Sequence, residues 1–501
     1  MSLLTNTVHQ WTKLRGSLPP FLVDGLRYLP TSILPAFLAI VSSAIFTRLF
    51  SPTTYGLLTL VSAVAGPLVT VLTESTGQPI GRFFSEYKAT NQMELYRNVV
   101  SLLLLATLVM GLVLDGLAAG VIGIVGIPAS FTLAILGGAM VSILVQSSSA
   151  LLQPILSASF QIGVYRRVNT GIPLLGFTLT LGGILLFGRH ISWLVWGPPL
   201  ATIAFLPLIL KSAGIGLRRI IGSVRHFPEI RSTVVRFLRF GAPMAPWFFA
   251  FSLLSIGDRY VIQAVQGTAT VAIYGVSYTL ATQGVGLVTG PYMTGCWPRI
   301  LQQWAGPDRN LVRITLRQMT DLYLVIGVAL VGTIAVIGHP LLQILVGTAF
   351  TNGYRILVPV AIGSVIAGVS ILGHKSMELM ERNGLMAWDA VIAAGINLAL
   401  NIWAIPRWGF VAAGWTTLVS YFLYTALIWW QAKRLLPWDL PFGKIFLYIV
   451  EATVSWAMAH TLLIITHAFP LEAVVLGSLV FAGIYGGLAL WTFQHTSRTV
   501  L

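Results

Sequence analysis

Charge is scarce in this chain. Only 9% of its 501 residues are Asp, Glu, Lys or Arg, and Cys296 is the sole cysteine. A lone cysteine excludes an internal disulfide and any thiolate metal cage, and so little charge cannot cover the surface of a water-soluble protein of this length. Acids are scarcer than bases, 15 against 30, which leaves a formal net charge of +15. No His or Cys residues fall at metal-ligand spacing, and no Ser, His and Asp arrangement suggests a hydrolase. GVSILGHKS (368–376) approaches a phosphate-binding loop, but His374 separates the second glycine from Lys375 and no strand precedes it. Neither a metal, a cofactor nor enzymatic chemistry is expected. The opening MSLLTNTVHQWTKLRGSLPP lacks an unbroken apolar stretch before a cleavage site, so it is expected to stay as an interfacial segment.

Apolar sequence fills the space that charge leaves. Hydrophobic residues make up 56% of the chain, in runs long enough to cross a ~30 Å hydrocarbon layer as helices. Fourteen spans are predicted: 28–49, 55–75, 99–119, 131–152, 168–187, 191–210, 241–265, 272–292, 319–337, 356–372, 387–405, 411–430, 445–465 and 471–493. The expected class is an all-α polytopic membrane protein.

Loops kept in the cytoplasm collect Lys and Arg. With fourteen spans, 25 of the 30 basic residues fall on the side of both termini, leaving Arg48, Arg189, Arg259, Arg355 and Arg407 on the other. An odd number of spans spoils this partition, so both termini are expected in the cytoplasm. Basic residues beside spans meet anionic membrane lipid, so the net charge requires no nucleic acid.

Arg48 lies thirteen residues after Pro35, and Arg259 thirteen after Pro246, each near the outer end of a span. This match suggests one unit carried twice, and paired six-span units are a transporter design with the substrate path between them. The expected organisation is an interfacial segment at 1–27, a six-helix lobe at 28–210, a basic cytoplasmic linker at 211–240, a second six-helix lobe at 241–432, and helices 13 and 14 with a cytoplasmic tail at 433–501. The second unit needs an insertion near 266–271, and the outer connection 338–355 reads as a hydrophobic re-entrant piece. Pro30, Pro35, Pro243 and Pro246 are candidate hinges, because proline removes a helical hydrogen bond.

Three stretches carry a family resemblance: TRLFSPTTYG (47–56), GDRYVIQAVQGTATVAIYGVSYTLA (257–281) and AIPRWGFVAAGWTTLVSYFL (404–423). They resemble the first outer loop, the seventh-helix Asp-Arg pair and the eleventh-to-twelfth helix turn of the Wzx-type flippases. These form the polysaccharide-export branch of the multidrug/oligosaccharidyl-lipid/polysaccharide (MOP) superfamily. Val411 departs from the small step usual after the turn glycine. The resemblance implies two six-helix lobes around a central cavity that opens alternately to each side, plus two extra C-terminal helices. It implies transfer of an undecaprenyl-diphosphate-linked oligosaccharide, a polyprenyl-diphosphate lipid, across the bacterial cytoplasmic (inner) membrane for surface polysaccharide, with H+ or Na+ as coupling ion and a polysaccharide polymerase as partner. The alternatives are a multidrug or peptidoglycan-precursor (lipid II) exporter of the same superfamily and a membrane glycan polymerase or ligase.

Moving a sugar diphosphate through hydrocarbon calls for a polar, preferably cationic interior, and guanidinium offers phosphate two parallel hydrogen bonds. Arg259, about 9 Å outward of the seventh span's midpoint, leads the candidates, with Asp258 to neutralise it when no substrate is bound. The other reading is an interfacial Asp-Arg pair that ends a helix. Arg48 either faces the cavity or snorkels to headgroups. Arg82, Arg299 and Lys375 either meet the diphosphate at the cytoplasmic side or serve as ordinary loop anchors. Asp389, Asp115 and Glu451 are the carboxylates within spans whose protonation would bias one state of the transporter. Asn397 and Asn401 share an arc of about 120° with Asp389 on one helix face, directed at sugar hydroxyls or at interhelical bonding.

Overall fold

The computed structural model describes residues 20–125, 129–159, 161–304, 306–436 and 438–497, and every regular element among them is helical. Hydrocarbon offers no partner for backbone N–H and C=O groups, so a chain this apolar must satisfy them within each segment. The first half contains α1 (Pro20–Leu49), α2 (Pro52–Ala89), α3 (Met93–Val125), α4 (Ala129–Ala158), α5 (Ile162–Phe187) and α6 (Ser192–Ala213). Two short helices follow, α7 (Leu217–Gly222) and α8 (Phe227–Gly241). The second half contains α9 (Ala245–Ile256), α10 (Asp258–Gln266), α11 (Thr268–Trp304), α12 (Arg309–Leu345), α13 (Leu357–Leu379), α14 (Asn383–Trp408) and α15 (Phe410–Leu435). The chain closes with α16 (Phe442–Thr466) and α17 (Pro470–Ser497).

Thirteen helical stretches are long and apolar enough to cross a membrane, and Ile33–Leu49 of α1 is a shorter apolar helix, so all fourteen predicted spans coincide with helices. Of the segment at 1–27, residues 1–19 lie outside the described residues and the rest are the first turns of α1. The seventh span is two helices, α9 and α10, broken at Gly257. The insertion predicted near 266–271 takes the form of a sharp turn at Gly267, where φ is +81°. The connection 338–355 is not re-entrant: apolar residues carry α12 on to Leu345, and Thr348–Ile356 follows as a 3-10 stretch. Gly409 sits at φ +70° between α14 and α15, the left-handed turn that its motif requires.

The pairing of helices repeats. In the first half α2 packs on α4, α4 on α6, α5 on α6, α1 on α5 and α3 on α4. The equivalent pairs in the second half are α11 on α13, α13 on α15, α14 on α15, α9 on α14 and α12 on α13. The halves meet along α11, which lies against α1 and α2, while α9 lies against α2. The face bearing most Lys and Arg is called the basic face below, and the opposite one the Arg-poor face. On the basic face α8 buries Ile230, Val234 and Phe237 against Phe83, Tyr87 and Tyr96, and Arg236 holds Glu86 through two bonds of 2.7 and 2.8 Å.

The α16–α17 hairpin stands outside the repeat and leans on α12. Lys444 meets Asp321 at 2.6 Å, Tyr448 donates to the same carboxylate at 2.8 Å, and Phe481 is completely buried. A Cβ placed on Gly332 of α12 would lie 2.1 Å from the Phe481 ring. Gly332→Leu is therefore expected to push α17 off α12 at a cost of about 1–3 kcal/mol. The check is a lowered unfolding temperature of the purified protein in detergent, with an unchanged temperature counting against this packing.

Candidate translocation pathway

The break at Gly257 separates the three residues that follow it. Asp258 is fully buried, and its Oδ2 accepts hydrogen bonds from the Tyr274 hydroxyl and, at 3.4 Å, from Thr417, while Oδ1 has no partner. Arg259 is half-buried above the Tyr278 ring, 5.4 Å from its centre, with Nε buried and unpaired. Tyr260 donates across the junction between halves to the Ala63 carbonyl of α2 at 2.9 Å. No hydrogen-bonded ion pair joins the Asp258 and Arg259 side chains among the described residues; the carboxylate is held by the Tyr274 and Thr417 hydroxyls with the Arg259 charge nearby.

Behind Asp258 a polar layer runs through the second half. Asn401 donates to Asn397 at 2.9 Å, Asn397 donates to Ser420 at 3.2 Å, and Thr416 bonds Asn401, all buried. The two asparagines thus join α14 to α15, as interhelical amides do. Nearer the basic face, Trp247 donates to the Tyr424 hydroxyl at 2.7 Å, and that hydroxyl lies 2.8 Å from His374 Nε2. Asp389 accepts from Gln431 at 2.7 Å and keeps its Oδ2 buried and unpaired. Asp115 is buried on α3 with both oxygens unpaired, and Glu451 takes a bond from Thr492 within the α16–α17 hairpin. These three carboxylates lie on separate elements and do not form one cluster.

Arg48 is engaged by main-chain carbonyls at the meeting of the two halves. Its guanidinium donates to the carbonyls of Leu345, at 2.6 Å, and Ile344, which end α12 and lack helical partners. Beside it, the Gly347 amide donates to Thr47 at 3.1 Å, Tyr55 meets Phe350 edge to face, and Gly56 packs so closely that a Cβ there would stand 2.0 Å from the Thr268 carbonyl. Together these contacts shut the Arg-poor face between the two halves. On the basic face the halves are bridged by Arg82 and Glu381, 3.2 Å apart and well exposed. An exposed pair of this kind contributes only about 0–1 kcal/mol. Lys375 is bound to Glu378 at 2.9 Å within its own helix, and the Arg299 side chain lies outside the described residues.

One cavity of the first half was not anticipated from the sequence. A cavity of about 600 Å³ lies inside the first helical bundle, enclosed by α1, α2, α4, α5 and α6. Its polar groups are amides and hydroxyls, including Ser42, Gln146, Ser149, Gln153, Asn169 and Thr202, and Phe46, Tyr55 and Phe177 line it as well. No charged residue lines it; of the residues singled out from the sequence, the candidate hinge Pro35 does, and none of the candidate substrate-binding or coupling residues does. The usable signal was Gln146, Ser149 and Gln153, whose i, i+3, i+7 spacing places three polar side chains on one stripe of an otherwise apolar helix.

Two bundles with equivalent helix pairings, in contact along α11, with an uncharged cavity in the first, define a polytopic membrane protein of the MOP fold. The structure aligns with the lipid II flippase MurJ in an inward closed conformation, TM-score 0.69 at 14% identity over 92% of this chain and 98% of that one. It also aligns with an inward-facing multidrug resistance MATE transporter of the MOP superfamily, TM-score 0.62 at 10% identity over 83% and 97%. Residues 24–304 match the family described as polysaccharide biosynthesis protein, and the chain belongs to that family. The probable low-salt glycan biosynthesis flippase Agl15 of Haloferax volcanii is 23% identical over 197 residues, which are 38% of this chain and 40% of the relative's own length.

Proposed function

We propose that the protein is a non-enzymatic flippase that carries a polyprenyl-diphosphate-linked oligosaccharide across the bacterial inner membrane by alternating access. The observation that carries this reading is the uncharged cavity inside the first bundle. Amides and hydroxyls set among aromatic rings match sugar hydroxyls, which both donate and accept hydrogen bonds. A multidrug exporter for cationic compounds calls for a carboxylate in such a cavity, and this one has none. In this reading residues 28–210 and 241–432 move as lobes about the basic linker 211–240, with 433–501 alongside. The basic face is cytoplasmic, and so are both termini. Arg259 meets the diphosphate at the junction, and Arg82 and Arg299 receive it at the cytoplasmic ends of their helices. A polymerase consumes the product outside.

The test is a deletion strain with and without the gene, scored for surface glycan and for the leaflet in which lipid-linked oligosaccharide is found. Completed units trapped on the cytoplasmic side support the flippase. Units displayed outside but not polymerised support a polymerase or ligase, and an unaltered pool supports an exporter of another substrate.

Asp258 is the coupling carboxylate in this reading, rather than a substrate ligand. Its unpaired Oδ1 beside Tyr274 and Thr417 offers a place for H+ or Na+ at the lobe junction. An ion that binds one state more tightly shifts the equilibrium by that difference. Asp258→Asn is expected to reduce gradient-driven flipping in everted vesicles by about 5- to 150-fold. A variant that still responds fully to imposed H+ and Na+ gradients would remove Asp258 from this role.

A further inference from the structure

A second cavity, about 570 Å³, opens at the Arg-poor end between α12, the 3-10 stretch after it, α13 and the α16–α17 hairpin. Its polar lining is His339, Gln343, Arg355 and His460, and its apolar wall includes Ile334, Val336, Leu463 and Ile464. None of its lining residues is acidic. The nearby Glu472 is turned back on its own chain, where it accepts from the Phe469 amide at 3.2 Å.

Arg355 and Arg189 are the two of the five basic residues on their face that are exposed with no ion pair or hydrogen bond among the described residues, and of the two only Arg355 lines a cavity. Arg48 and Arg407 are bound to carbonyls at or near helix ends, and Arg259 sits at the lobe junction. Arg355 is exposed, with no ion pair or hydrogen bond among the described residues, and its only aromatic neighbour is the Tyr354 ring at 6.0 Å. The imidazoles are held in place by aromatic rings: His339 meets Tyr354 edge to face at 4.5 Å, and His460 stacks on Trp456 at 5.2 Å. An imidazole donates from a ring nitrogen in either charge state, and guanidinium is the planar fork that suits phosphate.

We propose that this groove holds the diphosphate headgroup of a polyprenyl lipid in the leaflet of the Arg-poor face, with the first isoprene units along its apolar wall. Donors on both sides of the groove fit two linked phosphates better than one, and the apolar wall suits a branched hydrocarbon chain. The site rests on the flippase reading and gives the transported lipid a resting place after release from the junction, separate from the pathway.

The experiment uses full-length protein in phosphatidylcholine nanodiscs, all in an Arg259→Ala background so that the junction's own phosphate partner is absent. Farnesyl diphosphate and phosphatidylglycerol serve as probes, followed by native mass spectrometry and titration calorimetry. Farnesyl diphosphate is expected to bind in preference to phosphatidylglycerol. Arg355→Ala combined with His460→Ala should weaken it about tenfold or more, whereas Arg407→Ala should not. Equal retention of phosphatidylglycerol would overturn the assignment in favour of bulk lipid headgroups. Unchanged binding in the double variant, or no binding without it, would overturn the site altogether. Binding that persists while the leaflet assay fails would count against the flippase reading and leave the groove standing.

Discussion

Arg259→Ala is expected to abolish surface glycan while the protein still inserts and folds. The guanidinium lies half-buried at the lobe junction over Tyr278, with its Nε unpaired and no carboxylate bound to it. Holding a charge there without a partner is costly in a low-dielectric setting, and an incoming diphosphate supplies what is missing. Removing one side of a buried charged contact costs about 2–5 kcal/mol, which corresponds to a loss on the order of 30- to 5,000-fold. Among the described residues no other group depends on the side chain through a hydrogen bond, so membrane abundance should hold. Arg259→Lys should recover only part of the activity, since an ammonium keeps the charge and loses the two-pronged geometry. Wild-type transport by the alanine variant at equal abundance would end the assignment, and full recovery by lysine would reduce the role to charge alone.

Gly56→Val is expected to hold the Arg-poor face open and stop the transport cycle. The obstacle at Gly56 is the Thr268 carbonyl, which is backbone, so no rotamer change relieves it. Even one added carbon requires α2 and α11 to separate. Overpacking of this kind costs about 1–3 kcal/mol, enough to shift a two-state population about 5- to 150-fold. The change can be read directly from Ala63, which is fully buried at the junction beneath Tyr260. With Cys296, the only cysteine, replaced by Ser, Ala63→Cys should resist a membrane-impermeant maleimide and become reactive when Gly56→Val is added. Equal labelling in both backgrounds, with transport intact, would show that this contact is not a moving gate.

The spans were legible in the sequence because lipid leaves a chain few choices. An apolar run of about twenty residues has one way to satisfy its backbone, and each of the fourteen predicted runs coincides with a helix. Boundaries were less legible where helices run on beyond their apolar stretches, as α2 does past Ser75 and α12 does before Met319. The 338–355 piece was misjudged because a helix running on to Leu345 and a re-entrant segment share the same composition. In the candidate site, Asp258 and Arg259 stood out as rare charges within spans. Their partners did not: Tyr274 and Thr417 are 16 and 159 residues away from Asp258, and only the packing of α11 and α15 brings them together. The cavity of Gln146, Gln153 and Asn169 went unseen for a simpler reason. Neutral amides carry no charge signal, and their importance lies in facing the same empty space.

The two faces of the junction differ in how far they rely on charge. Closure at the Arg-poor face rests largely on main-chain atoms: the carbonyls of Ile344, Leu345 and Thr268 and the amide of Gly347. The basic face also has a main-chain contact, Gly241 against the Ser75 carbonyl, but it adds a bridge of solvent-facing charges, Arg82 and Glu381. Mobile ions screen an exposed pair over a length of about 8–10 Å, but they scarcely reach peptide groups pressed against one another. Rising ionic strength therefore weakens the small contribution of the Arg82–Glu381 bridge while leaving the main-chain contacts of the Arg-poor face nearly untouched.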